Sequence, residues 1–183
     1  MGVNTRSFGK PYPSGTRRVK KMKNEETIWK LLAEVKDPEL PVLSVVDLGI
    51  VRKVELMDEG ARITITPTYS GCPAMDVITI QIRMELTSHG FNPVEIITEL
   101  SPAWTTEWMS VSGREKLRAY GIAPPNPKQQ VCTPEYFQRE EAVQCPHCGS
   151  YHTGMISEFG STACKALYQC EDCKEPFDYF KCH

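Results

Sequence analysis

Apolar residues first fall into register at Ile28, Leu31, Leu32 and Val35. That i, i+3, i+4, i+7 stripe predicts an amphipathic helix. Asn24 suits its N-cap, and Glu25 and Glu26 suit the positive end of its dipole. Pro38 disfavours helical geometry at Asp37 and should stop it. The period then drops to two. Ile50, Arg52, Val54 and Leu56 alternate with Val51, Lys53 and Glu55, and Asp58-Glu59-Gly60 signals a turn into a second strand over 62–66. Residues 74–89 fit both periods. Ile78, Ile80, Ile82, Met84 and Leu86 alternate as in a strand, while Met75, Ile78, Ile82 and Leu86 share a helical face. Length, Pro73 at the first helical position and Gly90 beyond the end favour a helix. A third strand is expected over 94–100 and a short helix over 115–120, ended by Gly121.

Pro124, Pro125, Pro127 and Pro134 then punctuate an apolar-poor stretch, 122–142, read as a linker. The chain therefore divides into an arm (1–24), an α+β domain of two small layers (25–121), the linker, and a cysteine-rich module (143–183). A total of 183 residues has room for no more than such small domains.

Charge sharpens this division. The first 24 residues carry seven basic side chains and no acidic one, so the formal charge of −2 leaves −9 for the remainder. The arm reads as a disordered tail; a nucleic-acid role is disfavoured, since its aromatics are few, Phe8 and Tyr12, and none falls within the basic run 17–23. It has no apolar run of the signal-peptide kind, and no stretch of the chain reaches a membrane helix, so a cytoplasmic protein is expected.

Of eight cysteines, six crowd into the last 39 residues. Cys145-Pro146-His147-Cys148 and Cys170-Glu171-Asp172-Cys173 are two C-x2-C knuckles separated by 21 residues. That spacing can close a tetrahedral four-thiolate site, the usual arrangement of structural zinc. A unit of about 40 residues buries too little core to fold alone, so the metal would supply its stability. Residues 151–159 and 166–169 can provide ribbon strands. An iron–sulfur cluster takes the same four thiolates and is the rival reading. Cys164 and Cys182 are surplus to one such site and remain candidates for another ligand set; His147, His152 and His183 are read as ordinary histidines.

Cys72 stands apart, in Gly71-Cys72-Pro73. If Pro73 opens the helix, Cys72 is its N-cap, where dipole and free amides favour the thiolate. The competing reading is a buried cysteine at a tight turn. Asp37-Pro38-Glu39 and Asp47-Leu48-Gly49 could share its surroundings, or serve as turns and caps. No Glu-x-x-His pair, Ser-His-Asp order or phosphate loop occurs, which argues against a di-iron oxygenase or a hydrolase. Trp104 and Trp108 are read as core, with a protein anchor as the alternative.

These residues carry a resemblance. Asp37-Pro38-Glu39, Asp47-Leu48-Gly49 and Gly71-Cys72-Pro73 resemble the signature of a family of iron–sulfur assembly factors, which includes the T component of the SUF system. Pro67-Thr68-Tyr69, Pro102-Ala103-Trp104, Tyr120-Gly121-Ile122 and the closing run over 157–182 are similar to one branch, the D subunits of phenylacetyl-CoA epoxidase systems. The resemblance spans about 25–183 and leaves the arm outside. It implies an assembly-factor-like domain followed by a C-terminal zinc ribbon, and an accessory, non-catalytic role in aerobic phenylacetate degradation. It also implies that Cys72 is a reactive thiolate with Asp37, Glu39 and Asp47 nearby, binding iron or a cluster transiently. Implied partners are the epoxidase components, above all the iron–sulfur flavin reductase, and the general assembly machinery, but no membrane. The alternatives are a purely structural component and a thiol-dependent enzyme.

Overall fold

A computed structural model describes residues 23–69, 71–125 and 143–181. Most of the basic arm, Cys132, Cys182, His183 and most of the proposed linker lie outside the described residues.

Helix α1, Glu25–Leu32, is capped as expected: Asn24 Oδ1 accepts from Thr27 N at 2.8 Å. Strands β1 (Val51–Leu56) and β2 (Ala61–Ile65) form the antiparallel hairpin, with Val54 opposite Ile63 and a bulge near Val51. The ambiguous segment is helix α2, Ala74–Ser88. A strand would have placed residues 78, 80, 82, 84 and 86 on one face. Instead Ile78, Ile82 and Leu86 are fully buried while Ile80 and Met84 are 54% and 67% exposed. α2 is the crossover that lets β3 (Val94–Thr98) join β2 in parallel, giving the order β1-β2-β3. Ile63, Ile65, Ile28 and Leu32 complete this core; burying each such side chain is worth about 1.5–3 kcal/mol.

The chain continues through a 3-10 turn (Thr106–Trp108) into α3, Val111–Ala119. This helix begins a turn earlier than the apolar pattern suggests, because Ser110 Oγ accepts from Gly113 N at 2.8 Å and caps it. The first two residues of the expected linker, Ile122 and Ala123, move its boundary. Ile122–Ala123 form β4, which belongs to the second sheet. That sheet has the order β4-β7-β6-β5, with β5 Thr153–Ser157, β6 Lys165–Cys170 and β7 Pro176–Phe180. β7 is not among the strands expected from periodicity.

The two units pack on each other. Trp104 is buried, donates its indole N–H to the Leu48 carbonyl at 2.9 Å, and meets Phe180 of β7 edge-on at 6.2 Å. Ile122, Cys164 and Phe180 join the core of the α+β domain. Ala123, Val143, Ala166, Phe177 and Tyr179 form a second core inside the ribbon. Trp108 is half-buried, with the Arg52 guanidinium 3.4 Å above its ring.

Gly49 holds the Leu48 loop against this junction. It has φ +70°, and a Cβ there would strike the backbone carbonyl of Trp108. Gly49→Ala should therefore lower stability by about 1–3 kcal/mol from backbone strain, with the collision added to it. A urea unfolding curve checks this; an unchanged midpoint would refute it.

Candidate functional site

Two groups of functional side chains emerge, one in each unit. In the ribbon, the knuckles repeat one geometry. Gly149 N donates to the Cys145 carbonyl and Lys174 N to the Cys170 carbonyl, each at 3.0 Å. Cys145 N and Cys170 N close their loops on Ser150 and Glu175 carbonyls at 2.8 and 3.0 Å. Gly149 and Lys174 both adopt positive φ, +79° and +64°. Glycine does this at no cost, whereas Lys174 is held there by its knuckle.

These turns aim four sulfurs at one point. The ligand atoms of Cys145, Cys148, Cys170 and Cys173 lie within 4.8 Å of one another. Cys145 and Cys173 are separated by 3.8 Å between sulfurs, Cys148 and Cys170 by 3.5 Å. A tetrahedron with metal–sulfur bonds of about 2.3 Å has edges of about 3.8 Å, so the donor set fits a four-thiolate metal. Backbone N–H groups of Ser150, Asp172, Cys173 and Glu175 point at these sulfurs and favour the thiolate; they hold Cys170 at about 7, whereas burial and the neighbouring sulfurs push Cys173 up to about 12 and raise Cys148. Ser150 Oγ donates to Asp172, tying the knuckles together, while the His152 ring lies 3.4 Å from Asp172 and is exposed. His147 is exposed and lies over Gly121. Neither histidine joins the metal group.

The second group surrounds Cys72. Pro73, not Cys72, occupies the N-cap of α2, and no side chain caps it. The expectation of a dipole-stabilised thiolate is therefore corrected. Burial of the half-exposed Cys72 pushes its thiol above the ordinary value; the amide of Ala74 and the Tyr69 hydroxyl oppose this, and Glu39 and Asp37 add to it. Gly71 has φ +83°, and a Cβ there would meet open space.

Asp37 and Glu39 do share this place. Asp37 is buried, and its Oδ1 accepts from Glu39 N and Leu40 N, both at 2.8 Å. This local turn aims Glu39. Burial raises the Asp37 carboxyl against those two hydrogen bonds, and Lys165 partly offsets it. Asp47 does not belong here. Its Oδ2 accepts from Lys116 Nζ at 2.6 Å and Ser44 Oγ at 2.8 Å, and its Oδ1 from Ser110 Oγ at 3.2 Å. Burial opposes ionisation of Asp47, but Lys116 and Ser44 outweigh it and hold the carboxyl low. Asp47 ties its loop to α3.

Sequence reasoning missed the ribbon's contribution. Cys164 is 5% exposed and lies away from the four-sulfur group. Its Sγ donates to Glu39 Oε2 at 3.2 Å and contacts Thr162 Oγ1 at 3.0 Å. Burial and the Glu39 carboxylate push its thiol up to about 12. The Tyr69 hydroxyl, raised to about 12 by burial and by Cys72, also feels Glu39 and Cys164. The place of Cys164 in the resembling closing run is the one signal available for it.

An α+β domain with a cysteine beside acidic turns, carrying a four-cysteine ribbon, defines an assembly-type metalloprotein. Known proteins agree. Residues 25–95 match the family model described as iron–sulfur cluster assembly protein, and residues 129–181 that of the PaaD zinc beta ribbon domain. The chain is 54% identical over 155 residues to an Escherichia coli (strain K12) protein provisionally described as the D subunit of 1,2-phenylacetyl-CoA epoxidase, covering 85% of this chain and 91% of that one. It is 37% identical over 91 residues to an Fe-S protein maturation auxiliary factor of Porphyromonas gingivalis, covering 49% of this chain and 86% of that one. The crystal structure of a domain of unknown function, DUF59, from Bacillus anthracis aligns at 31% identity and TM-score 0.48, covering 51% of this chain and 90% of that one. The chain belongs to the family of phenylacetyl-CoA epoxidase D subunits, within the wider iron–sulfur cluster assembly proteins. No helix among the described residues is long and apolar enough to cross a membrane.

The electrostatics of Cys72 predict its reactivity. With the thiol raised, iodoacetamide should label Cys72 more slowly than a free cysteine at neutral pH and accelerate only as pH rises through its elevated pKa. Glu39→Gln removes a negative neighbour and should move that profile to lower pH. Peptide mass spectrometry of labelled protein across pH checks both; faster-than-free labelling at pH 7 would contradict the assignment.

Proposed function

We propose that this chain is an accessory protein of a phenylacetyl-CoA epoxidase system that helps assemble iron–sulfur clusters or insert them into the system's reductase component. The observation that carries this reading is the Cys72 pocket. A half-buried thiol sits near Asp37, Glu39 and Tyr69, and burial first, with the two carboxylates adding to it, pushes the thiol up. Such a thiol is restrained toward electrophiles yet releases its proton when a cation arrives, which suits a transient ligand of iron or a cluster as cargo. The family match over the residues that build this pocket, and relatives described as Fe-S protein maturation factors, support it. The role is placed in aerobic phenylacetate degradation and in the cytoplasm, a reading that the similarity to an epoxidase D subunit supports.

The four ribbon thiolates are assigned to zinc. A closed four-sulfur set leaves no open coordination position, so this metal would brace the ribbon and not turn over substrate. When bound it would offset two of the four negative charges that the crowded thiolates carry. The chain's own contribution is the pair of knuckle turns that present them.

Metal analysis of the purified chain should return about one zinc per molecule, with loss of near-ultraviolet circular dichroism after chelation. Iron with visible absorbance at that site would replace the zinc assignment. The accessory role predicts more. In cells carrying Cys72→Ala, the reductase should contain less iron–sulfur cluster, epoxidase turnover should fall with it, and chemical reconstitution of the reductase should restore both. Full cluster content with lost turnover would instead favour a structural role in the complex.

A further inference from the structure

Helix α2 is apolar on two opposite sides. Ile78, Ile82 and Leu86 line its buried side. Val77, Ile80 and Met84 stand on the other, 43%, 54% and 67% exposed with the ribbon in place. A helix that is apolar all round is one that is covered all round. The exposed side also has an order. Successive residues turn by about 100°, so Ile80 and Thr87 lie on its midline. Val77 and Met84 then fall along one edge, and Asp76 and Arg83 along the other. Asp76 and Arg83 are both exposed, and neither forms an ion pair among the described residues. Ile80, Arg83, Met84 and Thr87 follow the spacing i, i+3, i+4, i+7 and, with Ser88, line an open cleft of about 430 Å³. Four residues so spaced frame the hole that receives a side chain from a facing helix.

We propose that this face is a homodimer interface, in which α2 packs antiparallel on α2 of a second copy about a two-fold axis at Ile80. Such an axis reverses the helix but sets each edge against its own equivalent. Positions equally far on either side of Ile80 then meet, to within one residue. Ile80 meets Ile80, Val77 meets Met84 beside the cleft, and Asp76 meets Arg83, the last two contacts occurring twice by symmetry. The face is thus complementary to itself in both shape and charge. A parallel pair would lay the charged edge on the apolar edge and leave Asp76 and Arg83 unmatched. One helix face is a small contact among specific interfaces, so the dimer should be reversible and concentration-dependent. Cys72 lies eight residues before Ile80. The two Cys72 positions would therefore stand roughly 24 Å apart along the helices, too far to share one ion, and each pocket serves alone.

Sedimentation equilibrium of the full, reduced chain, across about two decades of micromolar concentration, tests this. The wild type should pass from monomer to dimer, and Ile80→Asp should stay monomeric. Arg83→Glu and Asp76→Arg each bring like charges together and should weaken association at least about ten-fold. The double variant Asp76→Arg/Arg83→Glu restores opposite pairs with the sides exchanged, and should return association to within about three-fold of wild type. All these side chains are exposed, so unchanged far-ultraviolet circular dichroism should accompany each result. Cross-linking supplies a second reading. Ile80→Cys at the axis should form an intermolecular disulfide on mild oxidation, above the wild-type background. Thr87→Cys lies on the same midline but roughly 21 Å from its copy, and should not. A wild type that stays monomeric overturns the proposal and hands the face to a different protein. A dimer indifferent to Ile80→Asp, a double variant no tighter than its single parents, or equal cross-linking at 80 and 87 overturns it as well.

Discussion

The arrangement depends on Trp104. Its indole N–H is bound to the Leu48 carbonyl, and its ring receives Phe180 edge-on. A buried indole without an acceptor would leave an unsatisfied donor, at a cost of about 1–3 kcal/mol. The Leu48 carbonyl prevents this, and with it the Asp47-Leu48-Gly49 loop becomes the seat on which the ribbon rests. Asp47 secures the other side of that seat through Lys116 and Ser110 of the α3 region. Motif residues that look like metal ligands in the sequence therefore serve as anchors for docking. Their influence on Cys72 is indirect: they set where the second sheet lies.

Docking also sets the charge balance of the pocket. Cys72 alone beside Asp37 and Glu39 would already be a reluctant thiolate. Burial comes first in raising both the Cys72 and the Cys164 thiol, and Glu39 adds to it, through space at Cys72 and through a hydrogen bond at Cys164. Such a pocket is inert toward electrophiles. A nucleophilic role fits such protonated thiols poorly.

Local physics is legible in the sequence where one segment decides the outcome. Asn24 caps α1, Ile78, Ile82 and Leu86 turn inward from α2, and the knuckle spacing announces the four-sulfur centre. Sequence reading fails where distant groups decide. A cap position suggests an acidic thiol at Cys72, but burial and two carboxylates some 33 to 35 positions earlier in the chain reverse the sign. Asp47 groups with Cys72 by motif because Lys116, 69 residues away, is invisible to a motif. β7 escapes because Pro176-Phe177-Asp178-Tyr179-Phe180 acquires its strand identity from pairing with β6, and β4 because two residues carry no period. The encounter of Cys164 with Glu39 has no local signature at all.

The four-sulfur group and the Cys164–Glu39 contact are connected through one strand. β6 runs from Lys165, next to Cys164, to Cys170, a ligand of the four-sulfur centre. Five steps of about 3.3 Å span roughly 17 Å. Cys170 N is bound to the Glu175 carbonyl, and the register from Gln169 opposite Pro176 to Lys165 opposite Phe180 runs without a bulge. The knuckle therefore fixes where β7 begins, β7 fixes where Phe180 falls, and Phe180 on Trp104 fixes Cys164 against Glu39. A metal whose coordination shell is closed can govern a pocket this far away only by holding register. One residue of slip between β6 and β7 would turn alternate side chains to the opposite face and withdraw Cys164 from the domain. The ribbon is then a ruler for the second thiol, and not an independent appendage.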